Sequence, residues 1–300
     1  MIFFSIFNKY IKDNKMKFFL SLSLLTIILT SFLTEKEVQY LKKNAPYEVY
    51  DLTENPFKDW SEDQIRNLFI PILEDVKEEE KEKQKYIPSN DLPESFDGRV
   101  EWPDCIQPIL NLNYNNLKFI ATSAFSQRIC KKSKGKKKVV LSVQQIINCY
   151  YNIFYIDEVW RYFEDPGVVD EHCFPHDTPS QECLTKCKNG AAWIPYKAKN
   201  SKSFSNIDEI KKELYENGYV NSGFTVYSDF MNYRGGIYEH KTGYLLGGHE
   251  VNIVGWGVQN GVHYWIAQNT WGENWGENGF FRIKFGQCGI DSRGYAGVPV

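Results

Sequence analysis

The residues with the clearest chemical potential are a histidine and an asparagine in the last quarter of the chain. His249 follows two glycines, Gly247 and Gly248, and Asn269 comes twenty residues after the histidine. An imidazole can take up and return a proton near neutral pH. A lone histidine beside a strand is nevertheless more often structural than catalytic, so these residue types alone do not decide between the two roles.

The elements that would position these residues are strands, whereas helices dominate earlier in the chain. From residue 223 onward, β-branched and aromatic residues cluster between glycines. Three such runs predict strands, at 251–257, 263–271 and 279–285. Apolar spacing predicts helices over 115–128, from Ser142, and over 207–215, where Gly218 ends the helix. Helices first and strands later predict an α+β fold, which two lobes would accommodate.

The first 34 residues predict a targeting segment. Four lysines precede an apolar, uncharged run of 16 residues at 18–33, which is shorter than the roughly 20 residues that a membrane-spanning helix needs. A basic start and a short apolar run are typical of a secretory signal. An uncleaved signal anchor is the alternative, and Met16 is a second candidate start. Such a signal directs the chain to compartments where disulfides persist.

Composition divides the rest of the chain into a pro-segment with its linker, at 35–91, and a body at 92–300. The pro-segment carries helical signals, including a capping-box pattern from Ser61 to Gln64. Residues 74–85 are almost entirely charged. Such a run is usually only a solvated surface, and an exposed, cleavable linker is the alternative.

Composition and charge exclude some classes of protein. Hydrophobic residues make up 42% of the 300 residues, which excludes wholesale disorder. The 35 basic and 38 acidic side chains leave a net charge of −3, so no long-range attraction to nucleic acid follows. The basic run at 131–138 contains no aromatic residues, and we interpret it as a solvated loop.

Several long segments resemble the papain family of cysteine proteases and, within it, the cathepsin B-like branch. They are a pro-segment-like stretch at 55–69, the start of the body at 92–109, the segment at 226–250, GGHEVNIVGWG at 247–257, and 264–283. The resemblance covers the chain from about residue 50 to its end. It implies a papain-like α+β fold with a helical left lobe, an antiparallel β-barrel-like right lobe, a groove between them and a short helical pro-segment.

The resemblance also implies roles for individual residues. In the family, a cysteine at a helix N-terminus attacks as a thiolate, because the helix dipole and a neighbouring imidazolium lower its pKa. A histidine exchanges the proton, an asparagine amide orients the histidine, and a tryptophan shields the pair. His249, Asn269 and Trp271 match these three roles. Aligned backward from the helix that follows, Asn116 stands at the position of the nucleophile.

Asn116 removes the covalent route, because a carboxamide cannot form a thiolate. Thr122 and Ser123 lie six and seven residues further along the predicted helix, which is roughly 9–10 Å away. Proton transfer needs a contact near about 3 Å, so neither hydroxyl is expected to replace the thiol. The sequence therefore predicts a homologue that is catalytically inactive.

The family glutamine that helps to stabilise the oxyanion also has no counterpart, and residues 110–114 offer only Asn111 and Asn113. Losing one oxyanion donor typically costs about 10²–10³ in rate. The alternative is an active lysosomal or secreted cysteine endopeptidase whose sequence is in error at 110–120, since the mismatch with the family is abrupt there.

For the seven cysteines, the resemblance implies three disulfides and one further thiol. The pairs are Cys105 with Cys130, Cys149 with Cys183, and Cys173 with Cys187. Cys288 is then the odd cysteine, at a position that the branch normally keeps as a thiol. A family disulfide that joins the active-site loop to a turn of the groove has lost both of its halves here. The paired loss favours a coherent rebuilding of the groove.

Two departures from the family concern the S2 specificity pocket, beside Gly247 and Gly248. Glu250 stands where the family usually has a small residue, and Arg293 stands where the pocket floor varies. We expect the two side chains to pair and fill the pocket, and two independent surface charges are the alternative. The stretch at 173–187 is too short for the occluding loop of cathepsin B, so carboxydipeptidase activity is not expected.

No metal and no cofactor are expected. A metal site at His172, Cys173 and His176 is disfavoured because the resemblance assigns Cys173 to a disulfide. We expect a lysosomal or extracellular monomer whose groove binds a peptide, a protein ligand or its own pro-segment. No contact with nucleic acid is expected, nor with membrane once the signal is removed. A purely structural or storage role without a ligand is the third hypothesis, which a collapsed groove would favour.

Overall fold

Helices form the first part of the body, and helices also occur in the pro-segment. The computed structural model describes residues 34–71, 91–112, 117–150, 153–176 and 182–300. Within these ranges the helices are α1 Glu35–Asn44, α2 Glu62–Arg66, α3 Gly98–Glu101, α4 Leu117–Lys132, α5 Val143–Cys149, α6 Ile156–Glu164 and α7 Ile207–Asn217. Short 3₁₀ turns lie at Pro103–Cys105, Ser228–Asn232 and Gln287–Gly289.

The long helix α4 lies at the centre of the helical part. The ring of Phe125 in α4 stacks on Phe163 of α6, with centroids 4.7 Å apart. Two predicted helix boundaries are confirmed: the Ser142 side chain accepts from the backbone N–H of Gln145 at the start of α5, and α7 ends at Gly218, where φ is +109°. A hydroxyl cap and a left-handed glycine are the usual signals for these two positions. The helix predicted over 115–128 is described from Leu117 and continues to Lys132.

The strands form one twisted sheet. They are β1 Tyr47–Val49, β2 Phe96–Asp97, β3 Ala198–Phe204, β4 Val220–Tyr227, β5 Tyr233–Tyr238, β6 Leu245–Gln259, β7 Val262–Gln268, β8 Phe280–Lys284 and β9 Gly294–Pro299. Their order is β1-β5-β8-β7-β6-β4-β9-β3, and β2 pairs with β6. The long strand β6 lies between β4 and β7, so it holds His249 at the middle of the sheet.

One pair of strands departs from the fully antiparallel lobe that the resemblance implies. β5 and β8 are parallel, with Ile237 opposite Arg282. The other pairs described are antiparallel. The physical reason is the connection after β5, because the chain crosses to β6 instead of turning back beside β5. A crossover of this kind returns a strand in the original direction.

A buried arginine joins the helical part to the sheet. Arg128 of α4 is fully buried and donates from Nη1 to Glu213 of α7 at 2.8 Å. It also donates to the carbonyls of Gly218, Tyr219 and Gly297. Burial lowers the pKa of Arg128, and the charge of Glu213 opposes that shift. A buried guanidinium needs this degree of pairing, since an unpaired buried charge costs several kcal/mol, on the order of 3–5.

The three disulfides have the pairing that the resemblance implies. Cys105 bonds to Cys130, Cys149 to Cys183, and Cys173 to Cys187. The first bond ties the Pro103–Cys105 turn to α4. Cys288, the seventh cysteine, takes part in none of them and is buried.

The pro-segment is not only helical, which corrects the sequence prediction. Capping boxes start α1 at Thr34 and α2 at Ser61, but Tyr47–Val49 forms the edge strand β1. This strand pairs with β5, where Tyr47 lies opposite Gly236. A three-residue strand is too short to show a period in sequence. The pairing attaches the pro-segment to the sheet of the body.

The predicted signal lies almost entirely outside the described residues, which begin at Thr34. In the part of the chain that the structure does describe, none of the helices combines the length and the apolar character required to cross a membrane. The boundaries at 34 and 91 remain predictions.

Candidate active site

His249 and Asn269 meet across two neighbouring antiparallel strands. His249 lies in β6, and Asn269 directly follows β7, whose Gln268 pairs with Asn252 of β6. Nε2 of His249 lies 2.8 Å from Oδ1 of Asn269 and donates to that oxygen. The same oxygen accepts the backbone N–H of Thr270, also at 2.8 Å. The asparagine therefore fixes both the orientation and the tautomer of the imidazole.

Aromatic rings enclose the imidazole. The Trp271 ring lies 4.9 Å from the His249 ring, tilted by 31°, and Trp275 packs edge-on against Trp271 at 4.8 Å. Phe224 of β4 lies on another side, at 6.0 Å. His249 is only 4% exposed and Asn269 only 1%. The pair is therefore held in a desolvated environment, as the tryptophan role implied by the resemblance requires.

Burial strongly disfavours the charged form of His249. Desolvation lowers its pKa to about 4, although the Asn269 side chain and the Leu68 carbonyl both favour the protonated ring. Nδ1 of His249 is buried and has no hydrogen-bond partner of good geometry among the described residues. With the pro-segment over it, the imidazole therefore favours its neutral form.

The pro-segment covers this site. Phe69 packs edge-on against both Trp271, at 6.0 Å, and His249, at 6.1 Å. Phe57 contacts the other part of the Trp271 ring at 5.4 Å. Ile70 and Gly248 then exchange two backbone hydrogen bonds of 2.8 Å, each donating to the carbonyl of the other. Aromatic packing and strand pairing together hold the segment over the imidazole.

Gly247 permits this close approach. Its φ is +148°, and a Cβ built there would lie 2.6 Å from the Ile70 carbonyl oxygen and 2.7 Å from the Phe69 Cβ. Real Cβ atoms do not approach other atoms so closely. A side chain at this position would push the pro-segment away from the strand, so the predicted pocket glycine has a definite steric role.

Asn116 lies outside the described residues, which resume at Leu117, the first residue of α4. The cysteines that could still supply a thiol can be identified, because six of the seven are oxidised in disulfides. Cys288 lines a cavity that His249 also lines, but it lies in the 3₁₀ turn with φ of +53° and is buried. Cys288 is therefore the one cysteine whose sulfur is not already oxidised.

The shortened loop before α4 lies against the residues that follow Asn269. Gly272 donates to the Leu110 carbonyl and Leu112 donates to the Thr270 carbonyl, both at 2.9 Å. Asn111 stands opposite Trp271 in this short antiparallel contact, and its side chain is next to Gly272. This contact holds residues 110–112 against the segment that follows Asn269.

A cavity of about 270 Å³ opens beside the imidazole, between β4, β6 and the Gln287–Gly289 turn. Glu250, Gly223 and Cys288 line its body side, and Ile70 of the pro-segment lines its mouth. Glu250 is half-buried, but its Oε2 is fully buried and has no hydrogen-bond partner in the described part of the chain. Burial raises the pKa of Glu250 to about 7, and Arg293 opposes the shift.

Arg293 does not fill this cavity together with Glu250. It is exposed and is not among the residues that line the cavity. Its charge acts on Glu250, but no ion pair joins them within the described residues, since Oε2 of Glu250 remains without a partner. Glu250 and Arg293 therefore do not fill the pocket together as expected, because Arg293 is exposed to solvent.

Comparison with known proteins decides the family. Residues 92–298 match the family described as "Papain family cysteine protease". This chain belongs to the papain family of cysteine proteases. The matched residues contain α4, the His249–Asn269 pair and the sheet apart from β1 and the last residue of β9. They leave out the pro-segment, so the family assignment rests on the body alone.

This papain-family chain is cathepsin B-like. It is 31% identical over 283 residues to "Cathepsin B-like CP2" of Giardia intestinalis, covering 88% of this chain and 94% of the relative. It is 32% identical over 268 residues to "Cathepsin B-like cysteine proteinase 4" of Caenorhabditis elegans, covering 71% of this chain and 77% of that protein. The alignment with the first relative extends beyond the body into part of this chain's pro-segment.

Solved structures agree on the fold. The structure titled "proCathepsin B S9 from Trypanosoma congolense" superposes with a TM-score of 0.75 at 25% identity, covering 90% of this chain and 99% of that one. A procathepsin L 3 from Tenebrio molitor gives a TM-score of 0.64 at 21% identity, covering 87% and 86% of the two chains. The second likeness concerns the fold alone. The papain-like α+β fold predicted from the sequence is confirmed.

Sequence reasoning missed the residues that cover the site. It gave no role to Phe57, Leu68, Phe69 or Ile70, although the stretch at 55–69 was recognised as pro-segment-like. The apolar pair Leu68 and Phe69 at the end of a capped helix was the available signal.

Cys173 is bonded to Cys187, so its thiolate is not available to bind a metal beside His172 and His176.

Proposed function

We propose that this cathepsin B-like protein lacks peptidase activity and uses its groove to bind peptide, with its own pro-segment as the first ligand. The observation that carries the proposal is the replacement of the nucleophile by Asn116, together with the oxidation of six of the seven cysteines. Without a thiolate, the acyl-enzyme route has no first step. Neutral His249 then acts as part of the wall of a binding site.

Peptide binding is supported by the contacts of the pro-segment. Phe57 and Phe69 bury their rings on Trp271, and Ile70 pairs with Gly248 as a short strand. Strand addition supplies affinity through main-chain hydrogen bonds, and neighbouring pockets supply specificity. None of these contacts uses the position of the missing nucleophile, so binding survives its loss.

The second candidate is an active cysteine endopeptidase. It is favoured by the bond of 2.8 Å between His249 and Asn269 and by the Trp271 cover, which would serve catalysis if a thiol stood at residue 116. The transcript across 110–120 separates the two candidates. A glutamine followed by a cysteine at the helix start would restore the enzyme, and an unchanged Asn116 supports the binding protein.

We also propose that the protein enters the endomembrane route through its first 34 residues and acts in the lysosome or outside the cell. The three disulfides support this route, because such bonds persist in oxidising compartments. Expression of the full chain with a C-terminal tag, followed by fractionation and N-terminal sequencing, tests the route and locates the cleavage after the signal. Recovery of an uncleaved chain from the cytosol would refute it.

The activity test uses the full chain with a protease site inserted at 74–85, so that the pro-segment can be released. Turnover of a broad dipeptidyl fluorogenic substrate is measured for the natural chain, for Cys288→Ser and for Asn116→Cys. No turnover is expected from the first two. Turnover by the natural chain that persists in Cys288→Ser would refute the proposal.

The binding test uses the same nicked protein. A labelled peptide corresponding to 55–71 is added, and its uptake is followed by fluorescence anisotropy. Saturable uptake is expected, and a peptide that carries Phe69→Ala should bind much more weakly, because it loses the ring contacts with His249 and Trp271. A lack of uptake by a folded, nicked protein would contradict peptide binding.

A further inference from the structure

We propose that the basic turn, residues 131–138, binds a sulfated polysaccharide. Its sequence is KKSKGKKK, which places six lysines in eight residues with no acidic and no aromatic side chain. The turn belongs neither to the groove nor to the pro-segment, so this surface goes beyond the proposed function. Three features support the proposal: a backbone held in one shape, ammonium groups without partners, and a position remote from the groove.

Hydrogen bonds and a disulfide fix the backbone of the basic turn. The amide of Gly135 donates to the Cys130 carbonyl at 2.9 Å. The amide of Lys137 donates to the Ser133 hydroxyl, also at 2.9 Å. Cys130 is itself held by a disulfide, and Lys134 and Gly135 have positive φ values of +54° and +77° that end the helix. A ligand would therefore have to order only the lysine side chains.

Three of the six lysines have ammonium groups without a partner. Lys134, Lys136 and Lys137 are exposed, and within the described ranges no ion pair or hydrogen bond involves their ammonium groups. Each of these groups is therefore surrounded by water. A polyanion that meets all three releases its own counterions, and this release is a main source of affinity between a basic protein surface and a polyanion.

The other three lysines contact groups of the body. Lys131 and Lys132 donate to backbone carbonyls near the ends of α7 and β9. Lys138 pairs with Asp104 at 2.7 Å, and both side chains of this pair are mostly exposed. An exposed pair of this kind is weak, so a polyanion can compete with Asp104 for the charge of Lys138.

A sulfated polysaccharide fits this surface better than other common polyanions. Lysine-rich runs of about five to eight residues are typical of sites for nucleic acid or heparin. Single-stranded nucleic acid is bound with aromatic side chains that stack on the bases, and the basic turn contains none. Segments that lie on a membrane use apolar side chains that enter the lipid, which the turn also lacks. The proposed endomembrane route brings the protein to compartments where sulfated polysaccharides occur.

The basic turn lies at the far end of α4 from the groove. The helix runs for 16 residues, from Leu117 to Lys132, which is about 24 Å by the rise per residue of an α-helix. The family places its nucleophile at the start of this helix, whereas the turn begins at its end. A polysaccharide on the turn would therefore leave the groove and the docked pro-segment uncovered, so the two sites can be occupied together.

The test measures binding of a labelled heparin fragment to the full chain by fluorescence anisotropy, between about 50 and 200 mM salt. The turn variant combines Lys134→Asn, Lys136→Gln and Lys137→Gln. Asparagine is used at residue 134 because it tolerates the positive φ. The matched control removes three exposed lysines from other parts of the chain, through Lys43→Gln, Lys186→Gln and Lys212→Gln. Both variants lose the same net charge, and unchanged urea unfolding shows that each is folded.

The turn variant is expected to bind heparin at least about 30-fold more weakly than the natural chain, since three lysines near an anionic surface are lost. The slope of log affinity against log salt should fall by about 2 to 3, because fewer counterions are released. The control should stay within about threefold of the natural chain, because charges far from the ligand are screened. Asp104→Asn, which frees Lys138 from its partner, should bind about two- to fivefold more tightly.

Equal losses in the turn variant and in the control would overturn the proposal, because net charge alone would then explain the binding, and a natural chain that does not bind heparin would overturn it as well. Equal binding of chemically desulfated heparin would refute the role of the sulfate groups. A DNA duplex, or vesicles containing phosphatidylserine, that binds more tightly than heparin would assign the turn to another class of ligand and would also refute it. Uptake of the 55–71 peptide by the groove is measured separately, so either proposal can fail while the other stands.

Discussion

Replacing Glu250 by glutamine should change how stability depends on pH, and the sign can be worked out. The pKa of Glu250 is about 7 in the folded protein, against 4.5 for an ordinary glutamate. Between these values the folded state binds more protons than the unfolded state. The free energy of unfolding therefore falls as the pH rises from about 4.5 to 7. The carboxylate is a destabilising group at neutral pH.

The neighbouring histidine acts in the opposite direction. The pKa of His249 is about 4 when folded, against 6.5 ordinarily, so the unfolded state binds more protons between pH 4 and 6.5. Its contribution makes the free energy of unfolding rise with pH over that range. In the natural chain the two slopes largely cancel between pH 4.5 and 6.5. In Glu250→Gln only the histidine slope remains.

The magnitude follows from the difference in pKa. Glu250 shifts from 4.5 to about 7, which corresponds to about 3 kcal/mol at 1.4 kcal/mol per pKa unit. Because the residue as a whole is only half-buried, solvent screening reduces the expected figure to about 2 kcal/mol. The stability of Glu250→Gln relative to the natural chain should thus rise by about 2 kcal/mol between pH 4.5 and 7.

The assay is urea unfolding of the full chain at half-unit steps from pH 4.5 to 7.5. The difference in the free energy of unfolding between variant and natural chain is plotted against pH, which removes the contribution of His249 and of every other shared group. Glu273→Gln, on the exposed loop after Trp271, controls for the loss of a surface carboxylate. A difference that stays flat within about 0.5 kcal/mol would refute the burial argument.

Three further predictions concern docking, the lobe junction and catalysis. Phe69→Ala should reduce the exchange protection of the Gly248 amide at least about 100-fold, since deleting a buried phenylalanine ring costs about 3–5 kcal/mol. Arg128→Met should lower the free energy of unfolding in urea by about 3–5 kcal/mol, because Glu213 loses its charge partner, and replacing both residues by methionine should recover part of this loss. Asn116→Cys should turn over a dipeptidyl substrate at least about 100-fold more slowly than a cathepsin B with its oxyanion glutamine.

The local signals in the sequence predicted some of the elements. Ser142 and Gly218 marked the ends of α5 and α7, because capping depends on one or two residues. The strand β1 and its pairing with β5 could not be predicted, since the pairing joins residues nearly two hundred positions apart. The same is true of Arg128, whose partners come from α7, from Tyr219 just before β4, and from β9.

In the site, too, features carried by contiguous residues could be predicted, and features that depend on distant residues could not. The pairing of His249 with Asn269 followed from a resemblance carried by contiguous motifs, and the geometry agrees with it. The fit of Glu250 against Gly223 could not be predicted, because it depends on the register of β4 against β6. Arg293 was expected as a partner because its position faces the same pocket in relatives, but a position in the family does not fix the direction in which a long exposed side chain points.

Catalysis and binding draw on different residues of this groove. The chemistry of the family needs a thiolate at the start of α4 and an imidazole beside it, and we propose that Asn116 stands in the place of that cysteine. Binding needs an open strand edge and apolar walls, which Gly248 and Trp271 supply. Interactions that hold a ligand without favouring its transition state contribute affinity but no rate. On the proposal that Asn116 removes the first set, the second set still forms a binding site, and its affinity can be altered at Phe69 without reference to turnover.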